Sequence, residues 1–131
     1  MSLSGGCAMN FLELENWLTV EGDKIVRKAA ANGLNVLDAR ERLIYEMWLF
    51  DTEQRNGGVS QYFCNRGLKQ WNTLSIIASP ALPSFVSFAT LVNQVVGRST
   101  DPYHTIINSD ANLDAHYDKH RVRLLTELKV R

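Results

Sequence analysis

The sequence has few of the residues on which covalent or metal crosslinks depend. It contains 2 cysteines among 131 residues, Cys7 and Cys64, and they are too far apart for a Cys-x-x-Cys zinc or redox motif. A chain of this length buries roughly two-thirds of its unfolded surface without such crosslinks. We therefore expect two free thiols in a reducing compartment, which places the protein in the cytoplasm.

A secretory leader, long apolar runs and strand-like alternation are also missing. The first residues have neither a basic segment nor a long apolar one, so we interpret residues 1–9 as a disordered or expression-derived leader. No apolar run approaches the roughly 18 residues that a bilayer crossing requires. Apolar and polar residues nowhere alternate for long enough to predict a strand. We expect residues 10–131 to form a single all-α domain with no membrane segment.

The net charge is zero as well, because 14 basic side chains balance 14 acidic ones. A neutral total does not indicate nucleic-acid binding. The two parts of the chain differ, however. Residues 13–53 hold 9 acids and 5 bases, a balance of −4, whereas residues 54–131 hold 5 acids and 9 bases, a balance of +4. This asymmetry would orient a self-association or a charged partner, or would serve solubility alone.

Apolar residues recur at helical spacing along most of the chain and predict a single compact bundle of about six helices. Capping residues and glycines set the expected boundaries, and the shortest stretch is only two turns long. The expected helical stretches are 10–22, 23–33, 38–56, 58–66, 68–78, 83–97 and 110–129, with a surface loop at 98–110.

One long stretch, residues 70–97, contains no charged side chain. Helices formed by this stretch have no wide polar face to present to solvent. We therefore expect the stretch to lie in the core or at a subunit interface, and we predict a homodimer formed through part of it.

The most informative segment runs from Glu53 to Asn65 and has the pattern Glu-x-x-Asn-Gly-Gly-x-x-Gln-Tyr-x-x-Asn. A long amphipathic stretch ends at its paired glycines, and a second one begins at once. Gly57 and Gly58 allow backbone conformations that end one helix and start the next in close contact. The segment thus predicts a tight helix–helix corner.

Amide side chains surround this corner. Gln61 and Asn65 lie one turn apart on the same helical face, and Glu53 and Asn56 lie just before the glycines. In a structural role, these side chains satisfy the polar backbone groups of the bend. In a functional role, they form with Tyr62 an open notch that recognises a partner. The sequence leaves both roles open.

The segment resembles the bacterial DNA-mimic protein family, a family of small proteins, over about residues 34–97. The resemblance depends on seven positions, namely Glu53, Asn56, Gly57, Gly58, Gln61, Tyr62 and Asn65.

This resemblance implies an all-α domain that is commonly dimeric and has no known enzymatic chemistry. In the protein that gives the family its name, an acidic surface imitates the phosphates of DNA and occupies a DNA-binding protein. Such mimicry needs a dense array of carboxylates, and here bases are interspersed among the acids. We predict a non-catalytic regulatory module that binds another protein, with no catalytic residues, metal or cofactor. DNA mimicry through the acidic N-terminal half is the alternative.

A metal-dependent enzyme is a further alternative, because His116 and His120 are four residues apart on the last predicted helix. Two imidazoles at this spacing share one helical face and would bind one metal ion. The glutamate of the His-Glu-x-x-His motif is missing, and His120 lies on the apolar stripe, which favours a packing role. For Cys64 we expect a buried thiol rather than a nucleophile.

Basic side chains near the corner and on the last helix leave nucleic-acid binding as a weaker alternative, which the neutral total disfavours. These residues are Arg55, Arg66, Lys69, Lys119, Arg121 and Arg123.

Overall fold

A computed structural model describes residues 3–131, with side chains from residue 11 onward. This part of the chain is all-α and contains six helices and no strand, which confirms the predicted fold class. A 3-10 turn, Leu34–Val36, follows the first helix. The helices are α1 (Leu3–Asn32), α2 (Ala39–Asn65), α3 (Gly67–Ala78), α4 (Pro83–Val96), α5 (Pro102–Ile107) and α6 (Leu113–Val130).

The N-terminal helix differs from the expectation. α1 begins at Leu3, so Asn10 lies within it rather than at its start. Residues 1 and 2 and the side chains of residues 3–9 lie outside the described part, so the interpretation of residues 1–9 as a leader stays a prediction.

The predicted helix break at Gly22 is wrong, because α1 continues through it to Asn32. Gly22 is buried where α1 crosses the indole ring of Trp48 on α2. A Cβ atom at position 22 would lie 2.0 Å from Cδ1 of Trp48. The glycine therefore permits close packing of two helices and does not end one of them.

Most other helix boundaries agree with the sequence signals. Asp38 caps α2 through a complete capping box, in which its carboxylate accepts from the backbone N–H of Glu41 and the Glu41 carboxylate accepts from its own N–H. Pro83 occupies the first turn of α4, and Gly97 follows the last residue of that helix. These local predictions are confirmed.

The predicted loop at 98–110 is wrong in part, because it contains the short helix α5. The Asp101 carboxylate caps this helix by accepting from the backbone N–H of His104, and Pro102 lies in its first turn. Both are ordinary signals of a helix start.

Aromatic side chains form the centre of the core, where α2, α3, α4 and α6 meet. Phe50 contacts the rings of Tyr62, Trp71, Phe88 and Tyr117 with centroid separations of 4.8–5.9 Å. The uncharged stretch 70–97 contributes much of the remaining core, which confirms the expectation that it packs inside. Its buried members are Trp71, Leu74, Ala78, Leu82, Phe85, Phe88, Ala89, Val92 and Val96.

Two further observations concern membrane-spanning helices and the exposure of Cys64. Within residues 3–131, no helix is both apolar enough and long enough to span a bilayer. Cys64 is a free, exposed thiol on the second half of α2, so the expectation that it is buried is wrong.

Candidate functional site: the glycine corner and the Glu53 cluster

The paired glycines bend α2 sharply. Gly57 has φ −155° and ψ 17°, and Gly58 has φ 87° and ψ 173°, so neither residue is helical. A straight helix would separate the Cα atoms of Glu53 and Asn65 by roughly 18 Å. Instead, Nδ2 of Asn65 lies 2.9 Å from Oε1 of Glu53. The two halves of α2 therefore fold toward each other at the predicted corner.

The carboxylate of Glu53 holds the two halves together. Its Oε1 accepts hydrogen bonds from Nε2 of Gln61 at 2.8 Å and from Nδ2 of Asn65 at 2.9 Å. Its Oε2 accepts from Nε of Arg66 at 3.1 Å. We call these four residues the Glu53 cluster. The cluster closes the inner side of the corner with one buried acceptor and three donors.

The cluster also fixes the protonation state of Glu53. Burial acts to raise the pKa of this carboxyl group, but the hydrogen bonds from Gln61 and Asn65 and the charge of Arg66 outweigh it, and the net pKa is lowered. Glu53 therefore stays ionised at neutral pH. A carboxylate whose pKa is lowered and whose lone pairs are occupied is a poor proton acceptor, so this geometry favours a structural role over acid–base catalysis.

Both glycines are required by the geometry of the bend. A Cβ atom on Gly57 would lie 1.8 Å from Oε1 of Gln61, so the Gln61 side chain occupies the space that any larger residue would fill. The positive φ of Gly58 lies in the region that other residues rarely adopt.

Asp114 on α6 closes the outer side of the corner, and the sequence analysis did not find it. Its Oδ1 accepts the backbone N–H of Val59 at 2.9 Å and Nε2 of Gln54 at 3.0 Å. Asp114 thus satisfies one of the free amide groups where the second half of α2 begins, as an N-cap residue would. Because it comes from 55 residues further along the chain, no local pattern indicated it.

The remaining corner residues are not arranged around an open notch. Tyr62 is fully buried, and its hydroxyl has no hydrogen-bond partner among the described residues. Burial raises its pKa, so the phenol stays neutral. Asn56 is exposed, and its side chain makes no hydrogen bond within the described part of the chain. Of the four polar residues expected to converge, the structure brings Glu53, Gln61 and Asn65 together.

A second buried polar cluster joins three helices. Nε and Nη2 of Arg121 donate to Oδ1 and Oδ2 of Asp51 at 2.7 and 2.8 Å, and Nη1 donates to Glu15 at 2.7 Å. The hydroxyl of Tyr117 donates to the same Oδ1 at 2.7 Å. Arg121 is 4% exposed and is bonded to two carboxylates, so it is not a surface base. Sequence reasoning had placed it among surface bases.

The two histidines of the enzyme alternative are adjacent on α6, with ring centroids 4.8 Å apart. His116 also stacks on Phe88, and its Nε2 lies 3.5 Å from Oγ of Ser87. Burial and the neighbouring His120 lower the pKa of His116. Among residues whose side chains are described, no three His, Cys, Asp or Glu residues lie close enough together to hold a metal ion.

Most acids of the N-terminal half are engaged in ion pairs rather than displayed as an array. Of the nine acids in residues 13–53, seven are paired with a basic side chain. Three of the nine, Glu46, Asp51 and Glu53, are buried. The pairs are Glu15–Arg121, Glu21–Lys24, Asp23–Arg27, Glu41–Lys28, Glu46–Arg42, Asp51–Arg121 and Glu53–Arg66.

Comparison with known proteins identifies a family. The family model described as DMP19-like protein, where DMP19 stands for DNA mimic protein 19, matches residues 35–128. The match begins in the 3-10 turn and includes α2–α6, so it extends past the limit at Gly97 expected from the sequence. No curated protein and no solved structure matches the chain significantly.

Proposed function

Because the chain belongs to the DMP19-like protein family, we propose that it is a non-catalytic regulatory module that acts by binding another protein. The Glu53 cluster supports the non-catalytic part. Its carboxylate is held as an anion by three donors, and the neighbouring Tyr62 is buried as a neutral phenol. Neither group is suited to transfer protons near neutral pH. Location in the cytoplasm stays a prediction.

The observation that carries the protein-binding part is a pair of exposed apolar side chains, one on α3 and one on α4. We call the exposed faces around these two side chains the α3–α4 surface. Ile76 is 75% exposed and Val86 is 44% exposed, and neither helix has a charged residue between positions 70 and 97. Depletion of charge around exposed apolar side chains is typical of the centre of a protein interface. We propose that this surface mediates protein contacts, including a homodimer.

Light scattering coupled to gel filtration tests the homodimer. We expect a mass that rises toward twice 14.8 kDa with concentration, and we expect Ile76→Glu or Val86→Glu to shift it toward the monomer. Ile107→Glu is the matched control, because Ile107 is 52% exposed but lies outside the uncharged stretch. A strictly monomeric wild type at high micromolar concentration would remove the dimer from the proposal.

The identity of the regulated partner requires capture from the native host followed by mass spectrometry. Wild type and the Val86→Glu variant serve as baits in parallel, and we expect the variant to lose the partner that wild type retains. If both baits retain the same proteins, the surface of α4 is not the binding surface.

The corner has a structural role in this proposal. Asn65→Ala removes one of the donors to Glu53, so we expect a lower melting temperature and unchanged partner capture at a temperature where the variant is folded. Unchanged stability with lost capture would instead assign Asn65 to a recognition notch.

DNA mimicry is the second candidate function, and the family match favours it. The pairing of seven of the nine N-terminal acids weighs against it, because a mimic needs unpaired carboxylates at regular spacing. Addition of duplex DNA to the captured complex distinguishes DNA mimicry from binding through an apolar interface. A mimic is displaced from its partner by the duplex, and displacement weakens steeply with salt, whereas an apolar interface is insensitive to both.

A further inference from the structure

A basic cleft lies between the first half of α2 and the start of α3, and it shares Arg66 with the Glu53 cluster. Its volume is about 310 Å³, which is at the lower end of the range of small-ligand sites. The cleft is lined by Leu34, Arg42, Tyr45, Arg66, Lys69, Gln70 and Thr73. Lys69, Gln70 and Thr73 share one face of α3 by their helical spacing, and Arg66 immediately precedes that helix.

The guanidinium of each arginine in the cleft forms an ion pair with a glutamate. Nε of Arg42 donates to Oε2 of Glu46 at 2.9 Å, and Nε of Arg66 donates to Oε2 of Glu53 at 3.1 Å. Within the described part of the chain, the Nη groups of these two arginines make no hydrogen bond. Each guanidinium is thus anchored by Nε, and its two terminal nitrogens have no hydrogen-bond partner among the described residues. Such an arrangement suits an oxyanion, to which arginine donates in a fork.

The acids that anchor the arginines offset part of their positive charge, but they are less exposed than the arginines themselves. The side chain of Glu46 is 0% exposed and that of Glu53 is 12% exposed. Gln70 closes the cleft floor by donating from Nε2 to the second oxygen of Glu46 at 2.6 Å. The three bases of the cleft and these two acids sum to +1. The unpaired charge belongs to the exposed Lys69, which forms no ion pair among the described residues.

We propose that this basic cleft binds an oxyanion, either a phosphate or a carboxylate. The forks of Arg42 and Arg66 would hold two of its oxygens, and Lys69 would supply a third positive contact. Tyr45 is half-buried and also lines the cleft, and its hydroxyl would donate a further hydrogen bond. The proposal is independent of which protein the α3–α4 surface binds.

The test is a titration of the full-length protein with inorganic phosphate at constant ionic strength, followed by amide chemical shifts in NMR spectra. Constant ionic strength removes general screening effects. We expect saturable shifts at Arg42, Tyr45 and residues 66–73. Scattered shifts that do not saturate, or shifts centred on the bases of α6, would overturn the site.

A matched pair of variants separates the cleft from overall charge. Lys69→Glu and Lys119→Glu make the same change at exposed helical lysines that have no ion pair among the described residues. Replacing Lys69 removes one charge-assisted hydrogen bond, so we expect binding at least about tenfold weaker. The Lys119 variant should bind as wild type does. Equal affinity of the two variants would refute the proposal.

A second titration experiment identifies the source of the anion. A glutamate-rich peptide and inorganic phosphate are titrated separately against wild type and against Lys69→Glu. Saturable, Lys69-dependent binding of the peptide at lower concentration than phosphate indicates an acidic segment of a protein, and the reverse order indicates a free phosphate. If neither probe binds at the cleft, the inference is wrong.

Discussion

Replacement of Glu53 by alanine tests whether one buried carboxylate holds the corner. The change removes the acceptor of three hydrogen bonds, from Gln61, Asn65 and Arg66. A hydrogen bond to a charged group contributes about 1.5–3 kcal/mol. Two of these donors are exposed and would regain water, the Arg66 side chain being 41% exposed. We therefore discount the sum and expect a loss of about 2–4 kcal/mol in unfolding free energy.

Urea unfolding followed by far-UV circular dichroism at pH 7 measures this loss, with the slope of free energy against urea compared between variants. For a domain of this size the loss corresponds to a decrease of about 10 °C in melting temperature. Glu13→Ala is the control, because Glu13 is exposed and forms no ion pair among the described residues. If Glu53→Ala loses no more than Glu13→Ala, or less than about 1 kcal/mol, the carboxylate does not hold the corner.

Three further predictions concern the pKa of Glu53, the packing of Gly22 and the buried Arg121. Because the folded pKa of Glu53 is below its ordinary value of 4.5, its contribution is fully present above pH 4.5 and is lost as pH falls through the folded pKa. Wild type should therefore lose more unfolding free energy than Glu53→Ala between pH 5 and pH 3, and parallel pH curves would contradict this. Gly22→Ala places a Cβ atom against Trp48 and should lower stability by about 1–3 kcal/mol in thermal unfolding. Helix propensity alone predicts a gain of up to about 1 kcal/mol. Arg121→Met leaves the Asp51 carboxylate buried without its charged partner and should cost about 3–5 kcal/mol. The Asp51→Leu, Arg121→Met double variant should recover part of that loss, because the buried Tyr117 hydroxyl then loses its acceptor. A single variant as stable as the double one would show that the pair is not coupled.

Helix boundaries that depend on residues nearby in the sequence could be predicted from it. The Asp38–Glu41 capping box and Pro83 act within one turn of the chain, so their physical effect and their sequence signal coincide. Gly22 has the same sequence signal as a helix end, but its reason is the ring of Trp48, 26 positions away. The identity of a glycine does not distinguish a helix end from a close helix crossing.

The inner side of the corner could be predicted from the sequence for a similar reason, whereas the outer side could not. Gln61 and Asn65 share one helical face, so once the glycines bend the chain, both side chains reach Glu53. Asp114 reaches the amide of Val59 only because α6 packs beside the corner. Its position depends on tertiary packing, which spacing within one helix does not specify.

The buried Asp51–Arg121 pair did have a signal. Asp51 follows Met47 by four residues, so it lies on the apolar stripe of α2, and Arg121 lies between Tyr117 and Leu125 on the stripe of α6. Opposite charges on two apolar stripes indicate a buried pair, because an isolated buried charge is too costly to persist. Counting these residues as surface charges concealed the pattern.

The same pairing changes the meaning of the charge asymmetry along the chain. Three acids of residues 13–53 pair with two arginines of residues 54–131, through Glu15–Arg121, Asp51–Arg121 and Glu53–Arg66. Part of the −4 and +4 imbalance is therefore neutralised by ion pairs between the two parts of the chain, and the Asp51–Arg121 pair is buried. A partner would meet local features instead of a charged half. The exposed apolar side chains Ile76 and Val86 and the basic cleft are two such features. Val86→Glu on α4 and Lys69→Glu on α3 test them by substitutions on different helices.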